Sequence, residues 1–138
     1  MKKAAVYCLC IFLIILLVIF IRNGCIRAEY TDYLQLLPSS EIESIEVQCG
    51  GETTNIEDVQ LITKIAQTLS EMKLGGRADV SFPGAIATVI TVYAKSETPV
   101  RMTLPSFGMS ENNCAVKAYF HATILGKDAA AMLAELLD

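Results

Sequence analysis

The sequence predicts an α+β protein, in which an N-terminal transmembrane helix precedes a two-layer sandwich, an antiparallel sheet with two helices on one face. Three observations predict it. Residues 4–21, AAVYCLCIFLIILLVIFI, run for 18 positions without a charge. Several later segments alternate apolar and polar residues, the signature of strands with one face in a core and one in water. Two segments, around residues 55–74 and 127–138, instead repeat apolar residues at helical spacing. Together they give the order β(β)αβββα.

Charge divides the chain in the same way. Residues 1–27 hold Lys2, Lys3, Arg22 and Arg27 and no acid, for +4. The remaining 7 basic residues and all 15 acids lie in residues 28–138, for −8, which sums to the net charge of −4. Such acidity excludes a nucleic-acid partner, because phosphate contacts need clustered Lys and Arg. The expected organisation is a transmembrane anchor over 1–27, a juxtamembrane stalk over 28–41 and an extracytoplasmic domain over 42–138.

As a helix the apolar run spans about 27 Å, close to the roughly 30 Å of a bilayer's hydrocarbon core. Thirteen of its residues are Leu, Ile, Val or Phe, each favouring insertion by about 0.3–0.6 kcal/mol. Cleavage and lipidation are the competing readings. A cleaved signal has a shorter apolar region and small residues before the cut; cutting after Gly24 or Ala28 puts Arg22 or Ile26 where a small residue is wanted. Arg22-Asn23-Gly24-Cys25 matches a lipoprotein box only at Gly24 and Cys25. An uncleaved anchor is therefore expected. The flanking charges nearly tie, and the short leading tail favours a cytoplasmic N-terminus with the acidic domain exported.

Beyond Arg27, Tyr30, Tyr33, Leu34 and Leu37 share one helical face, suited either to the headgroup belt or to packing on the domain, and Pro38 opposes continuation. Ser39, Ser40 and Glu41 read as linker. In IESIEVQC (42–49), Ile45, Val47 and Cys49 alternate with Glu46 and Gln48, a strand; Gly50-Gly51 supplies a hairpin turn and ETT a short return. The main helix follows, with Thr54 and Glu57 as a capping box, Val59, Leu61, Ile62, Ile65, Ala66 and Leu69 as its core stripe, and Gly75-Gly76 as its stop. A Pro83–Gly84 loop leads to the strand AIATVITVYAK (85–95), and SETP turns it into VRMTLP (100–105). Residues 105–114 read as a long polar loop. AVKAYFHATI (115–124) is the last strand, with Val116, Ala118, Phe120, Ala122 and Ile124 inward, and KDAAAMLAELLD the last helix.

The cadence IESIEVQCGGETTNIEDVQLITKIAQTL, after an apolar helix and before further strands, resembles small membrane-attached extracytoplasmic domains of uncharacterised Gram-positive bacterial proteins. The resemblance implies a location in the cell envelope and an α+β fold, and brings no catalytic residues with it.

Candidate chemistry is sparse. The five cysteines form no Cys-x-x-Cys, which disfavours thiol exchange and zinc ribbons. Strand parity turns Cys49 and Cys114 toward the core, as two buried thiols or, on an oxidising side, as a disulfide. His121, the lone histidine, lies on the outer face with Lys117 and Tyr119, opposite in parity to Cys114, so no Cys–His pair assembles. No catalytic residue, cofactor or metal site is expected. The expected contact surface is Arg101, Lys117, Tyr119 and His121 with the loop 105–114. A non-enzymatic envelope domain for binding, sensing or assembly follows, with an envelope protein or a small ligand as partner. Its rivals are a small hydrolase or thiol enzyme using Cys114 or His121, and a regulator of the same fold facing the cytoplasm.

Overall fold

A computed structural model describes residues 2–79 and 87–138. It has one long apolar helix followed by an antiparallel sheet of eight strands with helices packed on its inner face. Helix α1 runs from Lys2 to Leu36 and passes the boundary expected at residue 27 without a break. None of its apolar run is buried, whereas Ile26, Tyr30 and Leu34 lie in the core together with Leu37 of the short 3-10 turn Leu37–Ser39. Pro38 ends the α-helix by lacking the N–H that another turn needs.

The strands are β1 (Ile42–Cys49), β2 (Glu52–Ile56), β3 (Met72–Arg77), β4 (Thr88–Ala94), β5 (Val100–Leu104), β6 (Ser106–Glu111), β7 (Phe120–Ile124) and β8 (Lys127–Asp128). They assemble in the order β2-β1-β4-β5-β6-β7-β3, with β8 paired to β7. Gly50 and Gly51, at φ +58° and +86°, close the β1–β2 hairpin in the left-handed conformation of a type I′ turn. The expected alternation holds at Ile45 and Val47 of β1 and through β5, and β4 shows it as well. Ile45, Val47, Ile90, Val92, Val100, Met102 and Leu104 are buried, while Arg101 is exposed.

Helix α2 spans Val59–Ser70 and α3 spans Ala129–Leu137. Both begin on an aspartate. The Asp58 carboxylate accepts from the Leu61 amide at 2.8 Å, and that of Asp128 from the Ala130 and Ala131 amides at 2.7 and 3.2 Å. Each such cap stabilises its helix by about 1 kcal/mol. The capping box expected at Thr54 and Glu57 does not form, because Thr54 is paired with Val47 inside β2. Of the expected stripe, Ile62, Ile65, Ala66 and Leu69 are buried, but Val59 is 74% exposed at the first turn.

Three further expectations are corrected. The main helix stops at Ser70 rather than at Gly75-Gly76, and Met72–Arg77 becomes an edge strand because β7 supplies its hydrogen-bond partners. The polar loop expected over 105–114 is largely β6, reached through the cis Leu104–Pro105 bond, with Phe107, Gly108 and Met109 all buried. The last strand starts only at Phe120; residues 115–119 instead cross over Gly108, where Val116 and Tyr119 pack. The observed order after α1 is thus ββαββββββα, within the same fold class. The expected Pro83–Gly84 loop and the first two residues of the strand expected at 85–95 lie outside the described residues.

Candidate binding groove

Antiparallel register lines up the polar side chains of the outer sheet face. Glu46 pairs with Thr91, Thr91 with Arg101, and Arg101 with Ser110, a single row across four strands. Two strand intervals separate the Glu46 and Arg101 backbones, about 10 Å. Among the described residues neither side chain makes an ion pair. Tyr93 stands one pleat along from Thr91 on the same face. Asn112 and Asn113 close one end in left-handed conformations, φ +51° and +57°, which Asn tolerates better than most residues. The open groove so formed has a volume of about 390 Å³. A carboxylate, a guanidinium, a phenol and several amides line it, a set able to bind a polar ligand from several sides.

The expected contact residues divide between two places. Arg101 lies in this groove. Lys117, Tyr119 and His121 lie near β3 and the helix α1. Lys117 Nζ pairs with the Glu29 carboxylate at 3.1 Å. Tyr119 is half-buried against Gly108, where a Cβ would approach its ring to 2.7 Å. His121 is exposed on β7, opposite Ser106 and beside Gly75. Sequence reasoning missed Glu46, Thr91 and Tyr93 as groove residues. Alternation turned Glu46 outward, but it assigned no face to Thr91 and Tyr93 and did not show that β1 and β4 would stand beside β5.

The cysteines correct the expectation of buried or bridged thiols. Cys49 and Cys114 are both exposed and unbridged. Parity does turn Cys49 toward the inner face, where it lines a second groove of about 280 Å³ with Val47, Leu133 and Leu137. The helical layer does not cover that end of the sheet. Cys114 has no strand parity, since its segment is a turn whose amide donates to the Glu111 carbonyl at 2.9 Å. Cys49 lies level with Thr88 and Leu104, whereas Cys114 follows Glu111, which is level with Val100 three strands away. The offset is about 14 Å across the strands and about 13 Å along them, far beyond the roughly 7 Å limit between bridged Cα atoms.

Cys114 also borders a small cleft, about 210 Å³, between Glu29, Tyr30, Met109 and Lys117; His121 is not among its lining residues. Among the described residues, no three His, Cys, Asp or Glu side chains gather as a metal site. Tyr33, on the buried side of α1, has a displaced titration. Burial, reinforced by the carboxylates of Glu97 and Glu111, pushes its phenol up to about 12.

The fold and site define an α+β domain built directly onto one helix long and apolar enough to cross a membrane. Comparison with family models, curated proteins and solved structures finds no match to this chain.

Proposed function

We propose that this protein is a non-enzymatic, membrane-anchored domain of a bacterial cell envelope, exposed on the outer side of the membrane, which binds a polar ligand or an envelope protein. The observation that carries this reading is the groove across Glu46, Thr91 and Arg101. Glu46 and Arg101 stand in one row across β1, β4 and β5 with no ion-pair partner among the described residues, so charge-assisted hydrogen bonds to both favour a charged or strongly polar occupant. Rigid attachment to α1 through Tyr30, Leu34 and Leu37 supports a module that presents this groove at a constant height above a membrane.

Location and binding are tested separately. A membrane-impermeant thiol reagent applied to intact cells should label Cys49 and Cys114 without prior reduction. Labelling only after the cells are broken overturns the external location and favours the cytoplasm-facing regulator. A photo-reactive residue at Tyr93 should form adducts in cells that Thr91→Arg, which fills the groove, abolishes; adducts insensitive to that substitution count against the groove. Substituting both Cys114 and His121 should leave any cellular phenotype intact, and its loss would favour the enzyme reading.

A further inference from the structure

Because α1 is continuous from Lys2 to Leu36, position along it converts to height at about 1.5 Å per residue. The apolar run ends at Ile21 and the first buried residue is Ile26, so about 7 Å separate hydrocarbon from domain. A headgroup layer is itself about 5–7 Å thick. No flexible spacer intervenes, and one edge of the domain must meet the headgroups.

Contacts along α1 identify that edge. Arg27 Nη1 donates a long hydrogen bond to the Gly75 carbonyl of β3 at 3.4 Å. Glu29 holds Lys117, and Tyr30 meets Phe107 of β6 and Phe120 of β7. Far beyond them, the Lys95 amide donates to the Glu41 carbonyl just before β1. The sheet therefore stacks edge-on along the helix, with β3 nearest the apolar run and β2 farthest, six strand intervals or about 29 Å away.

Charge follows the same axis. Residues 22–29, 73–79 and 117–121 contain Arg22, Arg27, Lys73, Arg77 and Lys117 against Glu29 and Asp79, which is 5 − 2 = +3. Residues 41–58 contain six acids, Glu41 to Asp58, and no base, for −6. Arg22, Arg27 and Arg77 are exposed and make no ion pair among the described residues.

We propose that the β3–β7 edge, with Arg22, Arg27 and Arg77 as its contacts, is a docking surface for anionic lipid headgroups that holds the domain upright. The proposal rests on α1 spanning the membrane. A negative bilayer attracts each nearby Arg by about 1 kcal/mol, about fivefold in lipid preference. Its field fades within roughly 8 Å at physiological salt. The basic edge lies within that range and the acidic β1–β2 edge lies outside it, so tilting the domain down would exchange attraction for repulsion. The occupant is thus lipid rather than protein, because the edge is fixed at headgroup height.

The test uses the full chain reconstituted in phosphatidylcholine vesicles with and without phosphatidylglycerol, probed with spin-labelled lipids of each kind. Phosphatidylglycerol should be preferred in the protein's lipid shell by at least about fivefold at low salt. The combination R22Q, R27Q and R77Q should lower the preference by at least about fivefold, to what Lys2 and Lys3 hold at the opposite face; Arg-to-Lys exchanges should keep it, and Glu46→Gln should not change it. Equal shells for the unaltered chain, or a preference that the triple exchange leaves unchanged, overturn the proposal. If the chain fails to stay with the vesicles through an alkaline wash, the membrane-spanning reading falls as well; insertion without lipid preference removes the docking surface alone.

Discussion

The ring of Tyr30 stands edge-on to that of Phe107, with centroids 5.8 Å apart and planes at 71°. It meets Phe120 in the same way at 5.9 Å and 84°. This triad packs the helix onto β6 and β7, and so joins the apolar segment directly to the domain core.

Removing that joint should be costly. Tyr30→Ala is expected to destabilise the domain by about 3–5 kcal/mol, the range for deleting a buried aromatic. Tyr30→Phe removes only a 3.5 Å hydrogen bond to the Met109 carbonyl, about 1 kcal/mol or less. Denaturant unfolding of the detergent-solubilised chain, followed by near-ultraviolet circular dichroism, measures both. Equal losses would show that the hydroxyl, not the ring, makes the joint.

Gly108 has a steric role rather than a conformational one. A Cβ there would lie 2.7 Å from Val116 Cγ1 and from the Tyr119 ring. Gly108→Ala should cost about 1–3 kcal/mol, as overpacking does. Pairing it with Tyr119→Ala should recover part of the loss in a double-mutant cycle, and strict additivity would exclude the clash.

Cys49 and Cys114 should both react with a thiol reagent in the folded, unreduced protein. Reduction should change neither the intact mass nor the mobility on a denaturing gel. A loss of reactivity without reductant would mean that the two ends of the sheet lie closer than the register places them.

Tyr33 makes the fold sensitive to alkali. Its folded value is raised to about 12 from an ordinary value near 10. The native state therefore binds the phenolic proton more tightly than the unfolded state does. Its contribution is complete below pH 10 and is lost as pH rises toward 12. Tyr33→Phe should move the alkaline unfolding midpoint upward. An unchanged midpoint would mean that burial, with Glu97 and Glu111 beside it, does not hold the phenolic proton in the folded state.

Much of the fold was legible because burial has a period. Val100, Arg101, Met102, Thr103 and Leu104 alternate as a one-sided strand must, and Ile62, Ile65, Ala66 and Leu69 repeat as a half-buried helix must. Strand β6 was hidden because Phe107, Gly108 and Met109 are buried consecutively. Residues 116–119 cover the outer face there, which erases the alternation. Strand β3 was hidden because Lys73-Leu74-Gly75-Gly76 carries little strand propensity of its own and is extended only by pairing with β7.

The groove was legible only in part. Arg101 could be placed on an outer face from its neighbours alone. Its partners Glu46 and Thr91 come from strands 55 and 10 positions earlier in the chain, and only the order β1-β4-β5 brings them level with it.

The sequence by itself determined a helix able to cross a membrane, an acidic α+β domain after it, and which face of β1, β5 and β7 meets water, because each follows from local composition and period. The tertiary structure alone decided that the helix enters the core at Ile26 and Tyr30, that Cys49 and Cys114 lie far apart, and that acids and bases gather at opposite edges of the sheet. Those properties depend on which strands become neighbours, and neighbours are chosen by packing between residues distant in the chain.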